Sequence, residues 1–354
     1  MKRQFGPDAV RAAAAMMVLS VHFYLNGGFY QLPVEGGVMF ASAVLRMAFV
    51  TAVPLFLLLS GWLCCRQTWS PRYYLRLIPV LLTYLLCSAA CLVFRRFYLG
   101  QEIILLGAFR RILEFSAVPY SWYVEMYIGL FLLIPLLNAG WNALPERGKP
   151  VVALSLFAIT SLPLLTNSVY HILPASWTSF YPVAYYIVGA YLRERPLRCR
   201  SVWLWLGWLG VAAVYAAAQY RLYPGQPMVV TGLNSRGGTG VFIEAVCLFS
   251  LLMRCTGERL PRAGRWLVRR IAANALPMYM LSYIVDQLFY PRLVAAVPDG
   301  VRRQLFLPLA VLLSLLCSGA LAQLCSWAVR GIQAVLPKSW SYQKTGSNVQ
   351  APEK

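Results

Sequence analysis

The chain has 354 residues, of which 59% are hydrophobic and only 12% charged, and its mean hydropathy is +0.60. A soluble protein of this length carries about twice that charged fraction, so a soluble enzyme is excluded and one compact bundle of membrane spans is expected. The net charge of +20 is divided among many short connections and forms no basic domain interleaved with aromatics, which points to a membrane surface as its partner and to no nucleic acid.

A window of about 20 residues, the length that crosses the hydrocarbon core, marks ten spans, at residues 9–27, 38–64, 73–94, 119–140, 150–167, 178–192, 201–219, 238–254, 271–290 and 305–330. Lys2 and Arg3 precede the first, as in a signal peptide. Arg11 and His22 inside it, and the lack of a small-residue cleavage site after it, mark it as a retained span. Of the 32 Lys and Arg residues, 20 fall in one set of alternate connections and nine in the other. Positive connections stay in the cytoplasm. The fold class is therefore an all-α integral membrane protein, a single bundle of about ten transmembrane helices with both termini cytoplasmic. Residues 1–337 make the bundle, and residues 338–354 form a polar, disordered cytoplasmic tail. Nine scattered cysteines show neither a disulfide framework nor metal-ligand spacing and read as small buried apolar residues. No metal is expected.

Ionisable residues inside a span cost about 2.5 to 3.5 kcal/mol each at the helix centre and are kept mainly for function. The first span, "DAVRAAAAMMVLSVH" over residues 8–22, carries three. Arg11 and His22 are eleven residues apart, which brings them within about 20° of one another around the helix and separates them by about 16 Å along it. Asp8 stands three residues before Arg11 and can pair with it. His22 lies about 20 Å along the helix from residue 9, past the bilayer midplane. A neutral imidazole there can serve as a general base for an alcohol, or can hydrogen-bond a neighbouring helix.

The second span ends in Ser60-Gly61, and the third opens with "SPRYYLRLIP" over residues 70–79, where Arg72 and Arg76 sit one turn apart at a helix start. Helix N-termini and guanidinium groups both favour phosphate. Ordinary positive-inside flanking is the competing explanation. In the fourth span Trp122 and Tyr123 suit interfacial anchors, and Glu125 lies one turn further in, where an acidic group lines a polar cavity or meets a cation. Glu244 and Asp286 are similar candidates in later spans, with Arg46 a possible partner for any of the three. His171 reads as a surface residue, and no Gly-x-Ser-x-Gly elbow is present.

These residues carry a resemblance. Asp8-x-x-Arg11 followed by ten residues and His22, "FLLLSGWL" over 56–63, "RLIP" over 76–79 and "WYVEMYIGLFLLIPLL" over 122–137 resemble, in order, the membrane acyltransferase 3 family of bacterial O-acyltransferases of cell-surface sugars. "ANALPMYMLSYIVDQ", residues 273–287, is a weaker match. The resemblance implies an O-acetyltransferase of the plasma membrane, with acetyl-CoA or another acyl-CoA as the cytoplasmic donor. The acceptor would be a hydroxyl of an exported polysaccharide or glycolipid, and polysaccharide biosynthesis proteins would be partners. It makes His22 and Arg11 the essential pair and assigns Ser60, Gly61 and Arg76 to the donor side. His22 would deprotonate the acceptor or carry the acyl group itself. Two positions depart from the family's pattern: Tyr73 stands where a basic residue is common, leaving Arg72 as the nearest substitute, and Ser282 stands where many members have histidine. A secondary transporter or flippase would use buried charges as well, although the chain shows none of the paired halves usual in such folds.

Overall fold

The computed structural model describes residues 4–167, 170–229 and 234–335; the tail expected over 338–354 lies outside them. Among the described residues the elements are helical. The first expected span is α1 (Gly6–Asn26), and the second is two helices, α2 (Gly36–Phe49) and α3 (Ala52–Cys64). Pro54 accounts for that break, because it has no N–H to donate and its ring crowds the carbonyl of Val50 four residues back. The nearby Ala48 carbonyl accepts from Thr51 Oγ1 at 2.7 Å and from the Trp208 indole at 3.2 Å. Satisfying backbone groups inside the protein is obligatory where no water reaches.

The Ser70 side chain caps α4 (Pro71–Tyr74), and a tight turn leads into α5 (Ile78–Phe97). Then come α6 (Leu105–Leu113), α7 (Trp122–Ala143), α8 (Gly148–Thr166) and α9 (Tyr181–Glu194). A widened helical segment over Leu206–Gly210 joins α10 (Ser201–Trp205) to α11 (Val211–Leu222). The chain continues through α12 (Thr239–Met253), α13 (Arg262–Ala273), α14 (Ala275–Ala296), α15 (Gly300–Arg303) and α16 (Leu307–Val335).

Seven helical segments among the described residues are long and apolar enough to cross a membrane: Gly6–Asn26, Gly36–Cys64, Pro71–Phe97, Trp122–Ala143, Gly148–Thr166, Ser201–Leu222 and Gly300–Val335. The other three expected spans coincide with α9, α12 and α14, which are shorter or less apolar. The ninth expected span shifts, starting at 275 rather than 271, because residues 262–273 form a separate helix. That helix and α6 were expected to be plain connections. Both are amphipathic: α6 exposes Leu105, Leu106, Phe109 and Leu113, and α13 exposes Trp266 and Leu267 beside its arginines. A span-length window averages such alternating faces to an unremarkable hydropathy.

Antiparallel packing separates the connections into two ends. At one end Arg195 donates to Glu146 at 3.0 Å and Arg254 donates to the Leu197 carbonyl at 2.6 Å. At the other, Arg303 donates to the Gly27 carbonyl at 2.9 Å and Val34 N–H to the Gln226 carbonyl at 3.0 Å. This sorting agrees with the alternation of charge along the sequence.

Candidate functional site

His22 lies on the last turns of α1, 6% exposed, with its ring stacked on Tyr120 at a centroid distance of 3.8 Å. Its Nδ1 faces two groups on α14, Ser282 Oγ at 3.1 Å and Asp286 Oδ2 at 3.4 Å. Ser282 and Asp286 are one turn apart and so share a helix face. Tyr120, immediately ahead of α7, donates its hydroxyl to Asp286 Oδ2 at 2.8 Å and receives a hydrogen bond from Asn26 at 3.3 Å. Tyr279 bonds the Tyr120 carbonyl, and its ring lies 5.9 Å from that of His22. Asp286 Oδ1 is buried without a hydrogen-bond partner, which leaves the carboxylate capacity for one more donor.

A cavity of about 360 Å³ approaches this cluster, lined on α1 by Arg11 and Val18 and elsewhere by Ser60, Cys64, Tyr123 and Tyr279. His22 is one turn beyond Val18 on the same stripe, and Tyr279 both lines the cavity and flanks the imidazole. The cavity therefore runs from the Arg11 level toward the histidine. Apolar walls with a cation at one end suit a flexible acyl arm attached to an anionic head. Arg11 pairs with Asp8 at 3.5 Å, and Asp8 is almost fully buried, as the three-residue spacing implies.

Beyond the Cys64 end of the cavity, the turn after α3 is held by Asn138, which donates to the Cys64 and Gln67 carbonyls, both at 2.7 Å. Arg76, half-buried, bonds the Gln67 side chain and lies over the Tyr73 ring at 5.9 Å. Tyr73, at the family's basic position, instead turns inward and donates its hydroxyl to the Phe131 carbonyl at 2.8 Å. Arg72 is exposed and does not line the cavity.

Several candidates have other places. Gly61 is a packing residue: a Cβ there would stand 1.9 Å from the Tyr186 carbonyl oxygen of α9, and one on Gly189 would stand 2.1 Å from that of Leu58. Glu125 is exposed on α7, away from the cavity, because the face of that helix turned inward carries Val124 and Tyr127. Trp122 stacks against Arg236 at 4.0 Å. Arg46 is buried but meets neither Asp286 nor Glu125, and its bonds go to the Tyr30 hydroxyl at 2.9 Å and the Asn234 carbonyl at 3.4 Å. Glu244 is buried on α12 with Oε2 unpartnered and does not line the cavity. The cysteines divide: Cys65, Cys87 and Cys91 are buried, but Cys199, Cys255 and Cys317 are exposed. His171 is exposed, as expected. Among the described residues no group of His, Cys, Asp and Glu is placed to hold a metal ion.

Sequence reasoning missed Tyr120, Asn26 and Tyr279 as partners of the histidine. Tyr120 reads as one more interfacial aromatic, and nothing local ties it to a carboxylate 166 residues later. Asp286 was a weak candidate that becomes central, with Ser282 one turn before it.

Fold and cluster define a multi-pass membrane protein with a buried histidine and carboxylate suited to proton transfer. The sequence profile of the acyltransferase 3 family, described as an acyltransferase domain, matches residues 5–323, and the chain belongs to this family. No curated protein and no solved structure matches it. The chain is thus a membrane-embedded acyltransferase domain whose family implies a donor of the acyl-CoA kind.

Proposed function

We propose that the protein is an O-acyltransferase of the bacterial plasma membrane that moves an acetyl group from cytoplasmic acetyl-CoA to a hydroxyl of an exported polysaccharide or glycolipid. The supporting observation is the cavity that leads from Arg11 along α1 to Val18 and to Tyr279, whose ring flanks the buried His22. In this reading the bundle crosses the membrane ten times, with α9, α12 and α14 completing the set, and both termini are cytoplasmic. The Arg11 end of the cavity then faces the donor compartment.

The donor's phosphates rest among basic residues that include Arg76, and its thioester arm enters the cavity. His22 takes the proton of an acceptor hydroxyl that arrives from the opposite side. The resulting oxygen nucleophile forms a bond to the thioester carbonyl carbon, the carbon–sulfur bond breaks, and the thiolate that leaves recovers the proton from the imidazolium. Proteins that build or export the glycan are the natural partners, because the acceptor must be delivered to the outer end of α1.

His22→Gln is the deciding variant, since glutamine keeps hydrogen-bonding capacity without a useful proton affinity. Its surface glycans, analysed by mass spectrometry, are expected to lose acetyl groups, and acetyl transfer in membranes should fall by about 10² to 10⁴. Donor binding should persist. Wild-type acetylation by His22→Gln protein present at normal level would make the histidine a packing residue.

A further inference from the structure

We infer that α14 sets the tautomer of His22: Ser282 and Asp286 hold its proton on Nδ1, Tyr120 fixes Asp286, and Nε2 is left as the basic nitrogen. The inference rests on the acyl-transfer reading for its consequence but on hydrogen-bond bookkeeping for its content.

A hydroxyl has one proton to donate. The Tyr279 carbonyl, 2.9 Å from Ser282 Oγ, can only accept; with the Ser282 proton directed there, Ser282 Oγ accepts from His22 Nδ1, 3.1 Å away. Asp286 Oδ2, 3.4 Å from the same nitrogen, is an acceptor when ionised and already takes the Tyr120 hydroxyl proton. Two acceptors converging on one ring nitrogen require an N–H there; a lone pair on Nδ1 would face two oxygen lone pairs in a buried site. Among the described residues Nε2 has no hydrogen-bond partner. Which nitrogen of a histidine is basic is decided by the bond the other makes.

The titratable groups facing the ring are the Tyr120 and Tyr279 phenols and the Asp286 carboxylate. An ionised Asp286 stabilises the imidazolium formed when Nε2 takes a proton. Asp286 and Ser282 are positioning residues that act through His22. Tyr120 holds the carboxylate in place and, by stacking, holds the ring plane.

The chain has only two histidines, His22 and the exposed His171. In His171→Gln protein labelled with 15N-histidine and placed in lipid bilayers, every imidazole signal therefore reports His22. Above its titration, Nδ1 is expected to be protonated and Nε2 bare; a proton on Nε2 would overturn the inference. Asp286→Asn keeps the shape of the side chain and removes its charge. The acid limb of the pH profile of acetyl transfer should then move to lower pH, with the rate reduced at least tenfold and the donor KM little changed. An acid limb that stays in place would refute the charge role of Asp286, because a loss of packing alone lowers the rate without moving the limb. The 15N measurement needs no activity, so His171→Gln protein that shows the Nδ1 proton, with neither it nor the wild type transferring an acyl group, would sink the functional reading and leave the tautomer assignment standing.

Discussion

Gly61 and Gly189 let α3 and α9 approach until the backbone of each touches the other, with carbonyls of Tyr186 and Leu58 where side chains would begin. Close backbone contact through small residues is a main source of helix association in membranes, where burial against lipid tails gains little. The obstacle at Gly61 is backbone rather than a flexible side chain. Gly61→Ala must therefore push the helices apart, and a loss of about 1 to 3 kcal/mol, the usual cost of overpacking, should appear as a lower Tm in detergent. Gly129 on α7 has open space around it, and Gly129→Ala should stay within about 1 kcal/mol of wild type. A second residue-scale expectation concerns Arg76, held above Tyr73 by the turn after α3. If it contacts a donor phosphate, Arg76→Ala removes about 1.5 to 3 kcal/mol, roughly ten- to hundredfold in affinity. Donor Kd measured by calorimetry checks this, and an unchanged value in folded protein would assign Arg76 to membrane topology.

At the scale of elements, the connection between α7 and α8 is clasped to the end of α9. Glu146 accepts from Lys149 at 2.7 Å and from Arg195 at 3.0 Å, and Glu194 accepts from Lys149 at 2.8 Å and from the Trp141 indole at 3.1 Å. Hydrogen bonds from Lys149 and then Arg195 hold the Glu146 carboxyl below the usual carboxylate range. A depressed value in the folded state means that the clasp contributes above the ordinary carboxylate pKa and is lost as pH falls through the lower folded value. Thermal midpoints of wild type and Glu146→Gln should accordingly differ at neutral pH and converge in acid below the carboxylate range. Because Glu146 is on the surface, the difference should also shrink in high salt; a gap that persists in acid would show that the carboxylate is not its source. The discontinuity between α2 and α3 is another element-scale feature legible in principle, since Pro54 is visible in the sequence. Whether such a proline ends a helix or only kinks it depends on what donates to the carbonyls at the break, here Thr51 and Trp208 to that of Ala48.

For the whole molecule, the sorting of connections to two ends yields a direct test of orientation. Cys199 and Cys255 are exposed native cysteines at the end that holds most of the positive charge. With that end in the cytoplasm, an impermeant thiol reagent should leave both unmodified in intact cells and label them once the membrane is opened. Labelling of Cys199 in intact cells would reverse the topology and, with it, the side from which the donor enters. The sequence by itself determined the membrane class, the positions of the apolar helices and the stripe that joins Arg11 to His22, because each follows from local composition or from helical periodicity within one segment. The Asp8 pair was legible for the same reason, being three residues from Arg11. Only the tertiary structure decided that Asp286, Ser282 and Tyr120 surround the imidazole, that Gly61 serves packing and that Glu125 faces away. Those facts depend on how helices far apart in the chain rotate about their axes when they pack, and hydropathy, which is the same for a span in any rotation, does not record it.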